Sequence, residues 1–156
     1  MPKVKDTAAA LAHIESQIVN VLMNEVKNLV VEEMDRQIDL TVYSSYDPVM
    51  YKRRMENGGL GDQKNIIGTL VDNNTLRVKN ETPSSPSVVD GSVQNLDAIV
   101  VHGAPNIFNN RDYPWMHERD FVQATKEALA DGSLAEAVAA GLRRRGLKIR
   151  VKTTIK

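Results

Sequence analysis

Five residues carry side chains from which a metal centre or an acid–base pair could be built: His102, Asp112, His117, Glu118 and Asp120. Imidazole and carboxylate are ordinary zinc ligands, but ligands must converge on one point. His117 and Glu118 are adjacent, so on a helix they point about 100° apart, and no HExxH spacing occurs. Capping and surface polar contacts near a helix start explain the group better. His13, on the first helix, reads as a surface residue. The chain has no cysteine, which excludes disulfides, thiolate metal sites and cysteine nucleophiles together. Its serines lie in turns or in a Pro/Ser loop, without a GxSxG elbow. Gly58-Gly59-Leu60-Gly61 lacks the GxGxxG spacing, a preceding strand and the lysine of a phosphate-binding loop. It reads as a sharp turn with positive φ. The expectation is a protein with no catalytic residue, no metal and no cofactor: not an enzyme.

The side chains that stand out suit recognition instead. Only seven residues are aromatic (four Tyr, two Phe, one Trp), and Tyr43, Tyr46 and Tyr51 crowd into one connector. Asp47-Pro48, Arg53-Arg54 and Leu60 lie in the same connector. Tyr and Arg are the types most enriched at interface hot spots, so Tyr43, Tyr46, Tyr51, Arg53, Arg54 and Leu60 are expected to face a partner. The alternative is that these tyrosines and arginines pack against their own domain and cap the preceding helix.

A second candidate surface is the basic end. Arg143, Arg144, Arg145, Lys148, Arg150, Lys152 and Lys156 follow Glu136 with no further acid. Twenty basic and twenty acidic residues balance overall, so residues 1–142 carry a net charge of −7 against these seven cations. An acidic body with a basic tail suits head-to-tail contact between copies. The same cations could neutralise phosphates without reading sequence. Against nucleic acid, the tail has no aromatic on which bases could stack, and the acidic body repels DNA.

The elements that position these residues follow from periodicity. At 156 residues the chain is expected to be one domain. Asp6 is a plausible N-cap. Leu11, Ile14, Ile18, Val21, Leu22, Val26, Leu29, Val30, Met34 and Ile38 recur at helical spacing, predicting a long amphipathic helix over 7–43, with Glu32 and Arg36 as an i,i+4 pair. Unbroken, it would run about 55 Å, beyond the ~30 Å width of a compact chain this long. It therefore either breaks near Asp39 or projects, its central turns serving as core. Residues 44–65 form the docking loop, and 66–103 a β-rich middle. In that middle, Ile66–Val71 and Thr75–Asn80 flank a turn at Asp72-Asn73-Asn74, and Glu81–Gly91 is a Pro/Ser loop. Leu96–His102 is a short apolar run that periodicity assigns to neither helix nor strand. Helices follow over 115–145, the first from Trp115 to Ala130. Ser133 and Glu136 form a capping box for the second, which ends at Gly146. Residues 147–156 alternate apolar and cationic, predicting a terminal β-strand that closes the chain's own sheet or is donated to a neighbour. The fold class is α+β: a long N-terminal helix, a small antiparallel sheet, C-terminal helices and a final amphipathic strand. With no signal peptide and no run of roughly 18 apolar residues, the chain is expected to be soluble, without membrane contact.

In order, these features resemble the neck and tail-completion proteins of tailed bacteriophages. The residues carrying the resemblance are the long first helix, Tyr46-x-Pro48-x-x-Tyr51-x-Arg53-Arg54, then Gly58-Gly59-Leu60-x-Asp62. Ala98-Ile99-Val100-Val101-His102-Gly103 and Tyr113-Pro114-Trp115 ahead of a helix complete it. Three features depart from the pattern: Gly58-Gly59-Leu60 stands where many members have Thr-Gly-x-Leu, Tyr113-Pro114-Trp115 stands where Arg-Pro-Phe is common, and the loop Glu81–Gly91 is longer than that plan requires. The resemblance implies a non-enzymatic virion protein made in the host cytoplasm. It would form a homo-oligomeric ring, six- or twelve-fold, in the neck between head and tail. Its implied partners are the portal or adaptor and the tail-tube or tail-terminator protein, with transient contact to DNA in the channel. Tail completion, head closure, tail terminator and a contractile-particle equivalent remain open, as does a small nucleic-acid-associated protein.

Overall fold

The computed structural model describes residues 7–45, 47–48, 52–86, 91–103 and 117–151. The first helix runs without interruption from 7 to 43, but not as one α-helix. Helix α1 (Thr7–Val21) passes into a π-turn at Leu22–Val26, α2 (Lys27–Ile38) follows, and a second π-turn covers Asp39–Tyr43. The buried positions show the wider turn directly, since Val21 and Val26 are five apart, where an α-helix would bring back three or four. Glu32 does not pair with Arg36. Arg36 instead bonds Glu33 at 2.6 Å, three residues away.

The chain divides into two compact units. One comprises residues 1–30, 68–78 and 129–156, the other 31–67 and 79–128. In the first unit, Val21, Val26 and Leu142 form the buried centre, and Ile18, Leu22, Val30, Leu76, Leu134, Val138, Leu147 and Ile149 pack against it. Leu142 belongs to α5 (Ser133–Arg144). This helix does not start with the expected capping box. Its N-cap is Gly132, and Ser133 donates its backbone N–H to Asp131 Oδ1 at 2.8 Å. Glu136 meets Arg143 instead, at 3.7 Å. The other end is as expected. Gly146 (φ 85°) donates to Arg143 O at 2.9 Å and Leu147 to Leu142 O at 3.1 Å, the two bonds of a Schellman ending.

Beyond that ending the sequence expectation is only half met. Leu147, Ile149 and Val151 are part-buried and alternate with exposed Lys148 and Arg150, yet residues 147–151 pair with no strand. The apolar side rests on the helical core rather than in a ladder, so the predicted strand is absent here. Residues 152–156 lie outside the described residues.

Among the described residues the sheet is a two-stranded antiparallel hairpin, β1 (Ile66–Asp72) and β2 (Thr75–Asn80). Asp72 Oδ1 accepts from Asn74 N at 2.9 Å and holds its turn. In the second unit, Val31, Met34, Ile38, Val42, Leu60, Ile66, Val100, Val101 and Phe121 are buried. The middle is less β-rich than predicted. Leu96–His102 is helix α3, and one isolated bridge, Pro83 with Asn95, precedes it. A seven-residue run has too few turns for periodicity to identify. Helix α4 spans Phe121–Ala128, later than expected, because Asp120 provides the cap by accepting from Gln123 N at 2.7 Å. Trp115 lies outside the described residues, and 117–120 are not helical. The architecture is α+β.

Candidate functional site

The connector residues build their own unit. Tyr43 closes the first helix, and Arg53 donates from Nη1 to its carbonyl oxygen. The Arg53 guanidinium also lies over the Tyr43 ring, 5.4 Å from the centroid, a cation–π contact. Arg53 is thus the helix's C-terminal cap, placed where the dipole favours a cation. The Tyr43 hydroxyl accepts from Gly61 N at 2.9 Å. Burial pushes this phenol above its ordinary value, opposed by the Gly61 N–H. The approach is close, since a Cβ on Gly61 would stand 3.1 Å from the ring and 3.3 Å from Asp35 Oδ1. Asp35 also accepts from Gln63 Nε2 at 3.0 Å.

Behind this turn lies a buried polar knot. Leu60, expected to face a partner, is 4% exposed. Its apolar side chain is core, and its carbonyl accepts from Asn80 Nδ2 at 2.8 Å. Asn80 Oδ1 accepts from the backbone N–H and the hydroxyl of Thr82. The Thr82 hydroxyl also lies 3.2 Å from Gly59 O. Asn65 Nδ2 donates to that same carbonyl at 3.0 Å. Asp62 accepts from Gly58 N at 2.9 Å and Lys64 N at 3.0 Å, and the two N–H groups, Lys64's the stronger, hold its carboxyl below the usual value. Gly58 takes the positive φ, 79°, that the sequence suggests. Arg54 donates to Pro83 O at 2.6 Å. Tyr43, Arg53 and Arg54 thus each make a hydrogen bond within the chain, and Arg54 is exposed. Tyr46 and Tyr51 lie outside the described residues.

The basic end is split between two roles. Arg145 Nη1 and Arg144 Nη2 both reach Glu25 Oε1, at 2.6 and 3.1 Å, and Arg145 donates to Gly141 O at 2.9 Å as well. The Arg145 bond chiefly, with Arg144 behind it and burial in opposition, holds the Glu25 carboxyl below its usual value. Lys148 and Arg150 face outward, exposed. Lys152 lies outside the described residues.

Sequence reasoning missed Asn80, Thr82 and Glu25. Asn80 and Thr82 look like strand-end polarity and carry no signal. Glu25 did carry one: it stands four residues after Val21 and one before Val26, on the apolar stripe, where a charge needs a partner. Among the described residues no group of three or more His, Asp or Glu is placed to hold a metal ion. No described helix is long and apolar enough to cross a membrane. His117 and Glu118 are exposed, and Asp120 is engaged as a cap.

Among the described residues, large apolar side chains are exposed on α1, at Leu40, on β1 and at Val93, and the cations Lys148 and Arg150 are exposed near the C-terminus. Leu11 and Ile14, on α1, are 57% and 39% exposed, although they continue the stripe that buries Val21. A family model for YomN matches residues 4–144, from before α1 to the last residue of α5. The chain belongs to the YomN family. It is 23% identical over 146 residues to the SPbeta prophage-derived uncharacterized protein YomN of Bacillus subtilis (strain 168), covering 93% of this chain and 96% of that one. Family and relative together indicate a phage-derived protein. Lys148 and Arg150 lie beyond the stretch that the YomN model matches. No solved structure matches the chain.

Proposed function

We propose that this YomN-family protein is a non-enzymatic structural component of the virion, a homo-oligomeric ring in the neck that joins the phage head to the tail. The observation that carries the reading is the continuous stripe on α1, buried at Val21 and exposed at Leu11 and Ile14, in a family with a prophage-derived member. Large apolar side chains aligned on an exposed helix face gain free energy when a partner covers them. The polar groups of the Tyr43 turn and the Asn80 knot are engaged in internal hydrogen bonds, which supports a scaffold rather than a catalyst. In this reading the portal or adaptor and the tail-tube or tail-terminator protein are the axial neighbours, no cofactor takes part, and the particle is the place of action. Another tail or contractile-particle subunit is the second reading, supported by the same exposed face.

Quantitative mass spectrometry of purified particles separates these. About six or twelve copies per particle supports an axial ring. Hundreds of copies would mean a tube, sheath or shell subunit, and absence from particles would overturn the virion reading.

A further inference from the structure

Charge in this chain is sorted by compact unit. The first unit, residues 1–30, 68–78 and 129–156, holds eleven basic and six acidic residues, a net of +5. The second, residues 31–67 and 79–128, holds nine basic and fourteen acidic residues, a net of −5. The overall balance of zero conceals two units of opposite net charge.

The structure also shows which charges are available. In the first unit Arg144 and Arg145 are engaged by Glu25, and Arg143 lies 3.7 Å from Glu136. Lys148 and Arg150 are exposed and alternate with Leu147 and Ile149, which pack on the core around Leu142. The apolar side is already used inside the chain. The segment therefore presents an anchored cationic face and cannot be given up as a strand without uncovering that core. In the second unit Glu32 and Asp39 are exposed, and their separation of seven puts them on one helix face, where Arg36 between them is taken up by Glu33 at 2.6 Å.

We propose that the cationic face at Lys148 and Arg150 docks on the acidic face at Glu32 and Asp39 of a second copy of this chain. This rests on the homo-oligomer reading above and deepens it by naming the two sides of the contact. The two faces differ, so the contact is heterologous, of the class that makes a ring where its rotation closes and an open filament where it does not. Complementary charge of this kind sets register and encounter rate and weakens with salt.

The test is sedimentation of the full-length purified chain between low and high salt, with three charge-reversed forms beside the wild type. Lys148→Glu with Arg150→Glu should weaken self-association at least tenfold, and Glu32→Lys with Asp39→Lys should do the same. The two variants mixed should associate, and one chain carrying all four changes should recover self-association. Thermal melts of each monomer separate a lost contact from a lost fold. Wild-type association that all variants retain overturns the inference while the homo-oligomer stands. A wild type monomeric at every concentration and salt overturns both. Loss in each variant without rescue by mixing or by the fourfold change overturns the pairing of these two faces.

Discussion

Gly141 and Val21 meet with no room for a methyl group between them: a Cβ on Gly141 would stand 2.9 Å from both Val21 methyls and 3.2 Å from Glu25 Cδ. Gly141→Ala should therefore destabilise the protein, against the usual trend. Alanine in a helix interior gains about 1 kcal/mol over glycine, but overpacking costs about 1–3 kcal/mol. Val21 is fully buried and stiff at χ1, so it cannot yield. The expected net loss is about 1 kcal/mol, measured by denaturant unfolding. Val21→Ala in the same chain should recover part of it.

Glu25 makes stability depend on acid. Its carboxyl lies below the ordinary 4.5 when folded, chiefly through Arg145. A depressed carboxylate contributes stability above its unfolded pKa and loses it as pH falls through the folded value. Unfolding measured from pH 7 downward should show the wild type losing stability below about pH 4.5. Glu25→Gln, already weaker at pH 7 by about 1.5–3 kcal/mol, should lose less over that window. Parallel curves would show that the Arg145 pair has no energetic weight.

Arg53→Ala should cost about 1–2 kcal/mol, since it removes the bond to the Tyr43 carbonyl and the ring contact together. Tyr43→Phe should cost about 1 kcal/mol by leaving the buried Gly61 N–H without its acceptor. Chemical denaturation of both variants decides between this structural role and pure docking, for which Arg53→Ala would leave stability unchanged.

Asn80→Asp exchanges a donor for a charge at a side chain 1% exposed. It takes the amide from Leu60 O and buries an uncompensated carboxylate, an expected loss of at least about 3 kcal/mol. Hydrogen exchange should show residues 58–66 losing protection first.

Leu11→Glu with Ile14→Glu tests the proposed assembly face. Exposed substitutions of this kind change stability within about 0.5 kcal/mol, so melting should be unaltered while incorporation into particles is lost. Normal incorporation would mean that α1 does not carry the contact.

The first helix, the hairpin and the Schellman ending at Gly146 were legible because each rests on local pattern. Signals that two local motifs could satisfy were misread. Ser133 and Glu136 have capping-box spacing, yet Asp131, two residues before Ser133, is the side chain that accepts a backbone N–H at this helix start. Residues 147–151 alternate as a strand does, but alternation records only one buried side, and here helices bury it. Arg53 was readable as a cap or an anchor, because sequence does not say whether the Tyr43 carbonyl lies within reach. Glu25 and Arg145 stand 120 positions apart, and no local pattern reports such a pairing.

That separation has a consequence for synthesis. At roughly 5–20 residues per second, about 6–24 seconds pass between the making of Glu25 and the making of Arg145. Residues 31–67 and 79–128 are all translated before α5 begins. The first unit must wait. Until Leu142 is made, Val21 and Val26 lack the side chain that completes their buried centre. A chain ending before residue 133 therefore has every residue of the second unit but lacks α5, and leaves Val21 and Val26 without Leu142 to complete their buried centre.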